Sequence, residues 1–166
     1  VNVALIEAGP KDTYPWIHVP IGYFKTIHNP KFDWCYKTDA DAGLNGRQLE
    51  WPRGRVLGGS SSLNGLLYVR GQAQDYDDWA AAGCDGWSHD DVLPYFMKSE
   101  DQERGQMDGH GVGGPLSVSD IRVRREVCDR FIEAAVEAGV PKTDDYNFGD
   151  QEGVSNFQLT MKKGFR

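Results

Sequence analysis

Two passages of the chain combine residue types that hold charged ligands. The first is Glu7, which closes the run V-N-V-A-L-I and precedes Ala8-Gly9-Pro10. A carboxylate at the C-terminal end of the second parallel strand of a dinucleotide-binding fold accepts hydrogen bonds from both ribose hydroxyls. The G-x-G-x-x-G turn that accompanies such an acid lies about 20 residues earlier, which is upstream of Val1. A Glu that simply ends a strand fits the same local sequence. The second passage is WPRGRVLGGSSSLNG, Trp51 to Gly65. No Lys-Ser or Lys-Thr follows its glycines, so it is not a Walker loop. Trp51 and Pro52 before it and the apolar Leu66-Leu67-Tyr68-Val69 after it make it a poor flexible linker. What remains is a tight turn whose glycines bring the backbone close to a ligand. Its Ser hydroxyls and N–H groups then face an anion or a polarised ring. A Gly-rich turn capped by Ser satisfies the local chemistry equally well.

The other candidates are weaker. Of the four His, His18 and His28 fall in a Pro- and aromatic-rich segment, His89 in the first turn of an expected helix and His110 in a Gly-rich loop. Surface or structural roles suit all four, and no catalytic residue is assigned within the chain. Cys35, Cys84 and Cys128 are odd in number and widely spaced. They make neither a metal-binding pair nor a disulfide framework, which fits a reducing compartment and no metal. A net charge of −7 argues against a nucleic-acid partner, whose phosphates require a Lys/Arg surplus. No apolar run approaches the ~20 residues of a membrane span.

The elements that must position these groups follow from periodicity and turn chemistry. Val1 to Ile6 reads as a buried strand ending at Gly9-Pro10. Residues 10 to 50 read as loops with one short strand at Trp34 to Lys37 and a turn over Asp39 to Gly46. Ser60, Ser61 or Ser62 is placed to cap a short helix over Leu63 to Val69. Helices are expected over Gln74 to Ala82 and from the Ser88/Asp91 capping box to Ser99, the latter containing Pro94. Pro115 to Ser119 reads as a strand. Val123 to Ala138 is the clearest helix, with Val127, Phe131, Ala134 and Ala138 on one face and Gly139-Val140-Pro141 stopping it. The polar, Gly-rich residues 101 to 114 read as a loop or a boundary.

Gly54-Arg55-Val56-Leu57-Gly58-Gly59-Ser60-Ser61-Ser62-Leu63-Asn64, followed by Tyr68 and Gly71, resembles the first signature of the glucose–methanol–choline (GMC) flavin oxidoreductases at every position. LIEAGP, DYDDWAAAGCDGWSHDDVLPYFMKSED, HGVGGPLSVS, FIEAAVEAGVP and QEGVSNFQLTMKKGFR extend the likeness over essentially the whole chain, closest to the choline- and alkanol-dehydrogenase branch. The resemblance implies an α/β fold: a Rossmann-like FAD-binding domain lacking its first strand and Gly-rich turn, over residues 1–105. The start of an α+β substrate-binding lobe would occupy 106–166. It implies that Glu7 holds the adenosine ribose of FAD and that Val56, Gly58, Gly59, Ser60 and Ser61 line the flavin and pyrophosphate. Asn64, Gly65, Leu66 and Leu67 would run beneath the isoalloxazine, where amides stabilise the reduced, anionic ring. Members that attach FAD covalently do so through a His just before that Asn. Leu63 stands there instead, so FAD is expected to be non-covalent.

By the same resemblance the catalytic His lies C-terminal to Arg166, and the chain, which begins with Val, is an N-terminal part of an alcohol dehydrogenase or oxidase. Its partners would be a small alcohol and an electron acceptor, oxygen or quinone. Its location would be cytoplasmic or peripheral to the inner membrane. The competing expectation is a stand-alone nucleotide- or partner-binding fragment without redox activity.

Overall fold

The computed structural model describes residues 2–166. Backbone packing divides the chain into two compact units: the segment up to Leu66 with Lys163–Arg166, and Leu67–Lys162. The division falls well before residues 101 to 114, where the composition changes.

In the first unit, Pro15 opens a single-turn helix α1 (Pro15–His18), using the position where its missing N–H costs nothing. A 3₁₀ turn over Pro20–Gly22 leads into α2 (Tyr23–Thr26). The strand β1 (Tyr36–Lys37) pairs antiparallel with β2 (Glu50–Trp51), and the expected turn lies between them around Ala42–Leu44. A small apolar core of Ile17, Phe32, Val56 and Leu63 holds these pieces, with Tyr14 stacked on Phe32 at 4.8 Å between ring centroids. Regular ladders are short, so side chains satisfy much of the backbone. Buried Asp33 accepts the N–H groups of His28, Cys35 and Arg53 at 2.8–2.9 Å. Burial opposes its ionisation, but those N–H donors outweigh burial and hold the carboxyl below its usual value.

One expectation fails here. Residues 2–6 form no strand, and Val3, Leu5 and Ile6 are 87%, 81% and 93% exposed. Val1 lies outside the described residues. A strand exists only by pairing, and among the described residues no segment pairs with this one.

The second unit contains α3 (Ala73–Ala81), α4 (His89–Ser99), β3 (Glu100–Gln102), β4 (Leu116–Asp120), α5 (Glu126–Glu137) and β5 (Gln158–Leu159). The sheet order is β3-β4-β5, parallel across the first pair and antiparallel across the second. Helices and sheets mix as an α/β fold requires. The Ser88–Asp91 capping box forms, and α4 runs unbroken through Pro94. The helix expected over Leu63 to Val69 does not form. Gly59–Ser62 makes a 3₁₀ turn instead, Leu66 takes a left-handed φ of 66°, and the chain then runs extended. Burial alternates at Tyr68, Val69 and Arg70, and the Tyr68 N–H donates to the Gln158 carbonyl at 3.0 Å. Helix α5 starts at Glu126, not Val123, and its apolar face is not inward: Val127 and Phe131 are 71% and 69% exposed.

The centre of the second unit is ionic. Arg70 Nη2 donates to Glu100 Oε2 at 2.7 Å, Nη1 to the Gly109 carbonyl and Nε to the Tyr68 hydroxyl. His110 Nδ1 lies 3.0 Å from both Glu100 oxygens, and Nε2 lies 2.8 Å from Asp145 Oδ2. Both ring nitrogens face carboxylates, which only accept, so both must donate and the imidazole is a cation. Two cations then balance two anions. The Glu100 hydrogen bond raises the His110 pKa above 6.5, burial opposes this, and Asp145 adds to the rise. For Glu100, burial works against ionisation, yet His110, the Gly111 N–H and Arg70 bring the carboxyl below 4.5.

Because the His110 value is raised on folding, its contribution is complete below pH 6.5 and is lost as pH rises through the folded-state value. Glu100, depressed on folding, contributes above 4.5 and loses that contribution as pH falls through its folded-state value. Urea unfolding across pH is therefore expected to show stability declining above 6.5, and His110→Gln is expected to flatten that decline. Glu100→Ala leaves the buried Arg70 without its counter-charge and His110 with Asp145 alone, and is expected to cost about 3–5 kcal/mol.

Candidate functional site

Glu7 is exposed, and its Oε1 accepts the Gly9 N–H at 2.8 Å, closing the Glu7–Pro10 turn on itself. That turn lies hard against the second passage. A Cβ on Gly9 would stand 1.9 Å from the Arg55 carbonyl oxygen, and the Leu57 N–H donates to the Pro10 carbonyl at 3.0 Å. Glycine is required here because two backbones touch.

The passage then folds back on itself. A Cβ on Gly54 would meet the Gly59 carbonyl oxygen at 2.1 Å, and the Gly54 N–H donates to Ser60 Oγ at 3.1 Å. Gly58 and Gly59 have φ of 92° and 57°, a left-handed pair that reverses the chain into the 3₁₀ turn. Fully buried Val56 anchors the reversal, its carbonyl accepting the Gly59 N–H at 2.7 Å. Ser62 Oγ donates to the Leu57 carbonyl, and the Ser60 carbonyl accepts from both Leu63 and Asn64. Gly58, Ser60, Ser61, Asn64 and Gly65 are exposed, and the space a Cβ would fill on Gly59 or Gly65 is open to 4 Å. The N–H groups of the turn's first residues have no intrahelical acceptor, as at any helix start.

The structure thus brings Glu7, Val56, Gly58, Gly59, Ser60, Ser61, Asn64, Gly65 and Leu66 into one unit. Leu67 begins the other unit, where it bridges to Leu159 and is 55% exposed. The chemistry on offer is one carboxylate acceptor beside a glycine-lined stretch of N–H and hydroxyl donors. Such a set suits a ligand with sugar hydroxyls at one end and anionic or polar ring groups at the other.

Sequence reasoning missed Arg166. Its Nε donates to the Ile17 carbonyl at 2.9 Å, Nη1 to the Ser61 carbonyl and to Asn64 Oδ1 at 2.6 Å, and Nη2 to the Asn64 carbonyl at 2.7 Å. No local pattern announces it, because its partners lie over 100 positions away. Of the His, His18 Nε2 bonds to the Asp12 carbonyl, His28 and His89 contact Glu50 and Asp90 at the surface, and His110 is the buried cation described above. Among the described residues no three potential ligands converge as a metal site would require, and no helix is long and apolar enough to cross a membrane.

The sequence pattern of the GMC oxidoreductase family matches residues 7–166. The chain belongs to this family. It is 43% identical to the mitochondrial choline dehydrogenase of Homo sapiens, over 99% of this chain and 29% of that protein. To the alcohol dehydrogenase [acceptor] of Pseudomonas putida it is 40% identical, over 99% of this chain and 30% of that one. The crystal structure of pyridoxine 4-oxidase from Mesorbium loti superposes with a TM-score of 0.90 at 38% identity, covering 98% of this chain and 32% of that one. The chain therefore spans under a third of the length of these GMC relatives.

The N-terminal region of GMC oxidoreductases binds FAD. The residues present fit such a group: Gly59 and Gly65 leave the backbone bare, and Glu7 supplies an acceptor on a turn fused to that backbone. The fusion is itself testable. Gly9→Ala forces the Arg55 carbonyl away and is expected to lower stability by about 1–3 kcal/mol, read by thermal unfolding. Gly65→Ala, with open space around it, is expected to fall within about 0.5 kcal/mol of the parent.

Proposed function

We propose that this chain is the FAD-holding part of an oxidoreductase that converts the CH–OH group of a small alcohol to an aldehyde. Residues 1–105 would serve FAD, and 106–166 would begin the lobe that holds the substrate. The observation that carries the proposal is the Gly9–Arg55 contact, which fixes the Glu7 turn onto the glycine passage. The choline and alcohol dehydrogenases at 43% and 40% identity support the alcohol as substrate class.

In this scheme the Glu7 carboxylate accepts hydrogen bonds from the adenosine ribose. Gly58, Ser60 and Ser61 would present N–H and hydroxyl donors to the pyrophosphate and the flavin, Gly59 would leave the backbone bare for their approach, and Val56 would back them from the core. Asn64, Gly65 and Leu66 would lie along the ring and offer it polar groups. FAD, when bound, supplies a two-electron acceptor at flavin N5 for the hydride leaving the alcohol carbon. No catalytic base is assigned to this chain. Leu63, 3% exposed, packs with Ile17, Phe32 and Val56 and has no nucleophilic atom, which supports FAD held without a covalent bond at this position.

The holoenzyme carrying this chain is expected to release its flavin into the supernatant on acid precipitation; flavin remaining with the pellet would overturn the non-covalent assignment. Glu7→Ala removes the ribose acceptor and is expected to weaken FAD binding about tenfold, the loss of one charge-assisted hydrogen bond. Equilibrium titration of the apoenzyme measures this. Anaerobic addition of choline and of simple primary alcohols is expected to bleach the flavin absorbance, with reoxidation by oxygen or by a quinone identifying the acceptor. A holoenzyme that no alcohol bleaches would favour a binding role without redox chemistry.

A further inference from the structure

Asn64 and Arg166 form a pair whose chemistry fixes a direction. The carboxamide of Asn64 has an accepting end and a donating end that differ little in shape, so its orientation is set by its neighbours. Oδ1 takes the Leu66 N–H at 3.2 Å and the Arg166 Nη1–H at 2.6 Å. A guanidinium only donates, so the amide cannot turn its NH₂ toward Arg166 without setting donor against donor. Arg166 is in turn immobilised: its Nη2 holds the Asn64 carbonyl, its Nε the Ile17 carbonyl, and its own N–H the His18 carbonyl at 3.0 Å. These last two carbonyls belong to the final turn of α1, where backbone acceptors lack helical partners.

We propose that Arg166 is a positioning residue for the cofactor: it locks the Asn64 carboxamide with Oδ1 on the guanidinium, so that the Nδ2 donors are presented to FAD. The inference rests on Asn64 being one of the residues that line the flavin. Asn64 is exposed, and its side chain is held through Oδ1 among the described residues, which leaves the Nδ2 donors uncommitted to those contacts. A donor at that place favours the reduced, negatively charged ring over the oxidised one, because the hydrogen bond strengthens with charge on the acceptor.

Two variants of the holoenzyme separate this role from simple stabilisation. Arg166→Gln frees the amide to flip and is expected to raise the FAD dissociation constant about tenfold, the loss of one hydrogen bond to a charged or polar acceptor. It is also expected to lower the flavin midpoint potential. Asn64→Asp keeps the contact with Arg166, and strengthens it as an ion pair, but replaces the donor end with a second acceptor. It is expected to keep or raise the unfolding temperature of the apoprotein while losing at least tenfold in FAD affinity. Stability and affinity then move in opposite directions, which a purely structural role for the pair does not produce. Wild-type FAD affinity and midpoint potential in both variants would overturn the inference, as would an Asn64→Asp protein whose affinity falls only in step with its stability. Glu7→Ala, titrated alongside, separates the two levels. If that variant loses FAD while the Arg166 and Asn64 variants do not, only the positioning role fails. If Glu7→Ala also retains full affinity, the FAD site itself is misplaced.

Discussion

The absence of a side chain at Gly9 permits the contact on which the rest of the site depends. With the Arg55 carbonyl oxygen 1.9 Å from where a Cβ would stand, the two backbones meet without any intervening side chain. The Leu57 N–H then reaches the Pro10 carbonyl, and the turn bearing Glu7 is fixed although the residues before it pair with nothing among those described. The same device recurs at Gly54, which meets the Gly59 carbonyl and folds the passage back upon itself. Two close approaches, neither of which tolerates a methyl group, set where Glu7 and the exposed Gly58, Ser60 and Ser61 lie. The precision of the site comes from excluded volume more than from any strong bond.

The two units are held in different ways, and the difference follows from composition. The first has few buried apolar residues, and loops that would otherwise leave donors bare converge on Asp33. The second centres on Arg70, Glu100, His110 and Asp145. Burying three charges with a fourth half-buried is weak evidence for stability, because desolvation cancels most of the attraction. Its consequence is specificity. Arg70 can satisfy its fork only with Glu100, the Gly109 carbonyl and Tyr68 all in place, so segments 30 to 40 positions apart must dock in one arrangement.

What could be read from the sequence was local chemistry. The α4 capping box, the turn expected over Asp39 to Gly46 and the strand expected over Pro115 to Ser119 each announce themselves within a few residues, and they form, the last two as Ala42–Leu44 and Leu116–Asp120. The glycine passage was legible as a close-approach turn for the same reason. Errors arose where a local pattern met a longer-range partner. Ser60 to Ser62 before Leu-Asn-Gly-Leu-Leu-Tyr resembles a capped helix, yet Gln158 and Leu159 offer extended pairing to Leu67 and Tyr68, and pairing wins. Residues 2–6 have strand composition without a ladder. The α5 pattern specifies an apolar face correctly but says nothing about what lies against it. Arg166, His110 and Arg70 were unreadable because the carboxylates and carbonyls they bond lie 10 or more positions away, and a lone Arg or His carries no signal of burial.

Within the passage itself, anchoring and presentation are assigned to different residues. Val56, Ser62, Leu63 and Leu66 turn inward and are buried, whereas Gly58, Ser60, Ser61, Asn64 and Gly65 are exposed. This alternation explains why the signature mixes apolar and polar residues so closely. A turn with only polar residues would have nothing to hold it to Ile17 and Phe32, and one with only apolar residues would offer a ligand no donor. Leu63 shows the consequence most clearly. As a core residue it secures the turn between Ser62 and Asn64, and a side chain committed to packing against Val56 adds no atom to the exposed row. The buried side chains hold the exposed ones in place, because both belong to the same short turn packed on Ile17 and Phe32.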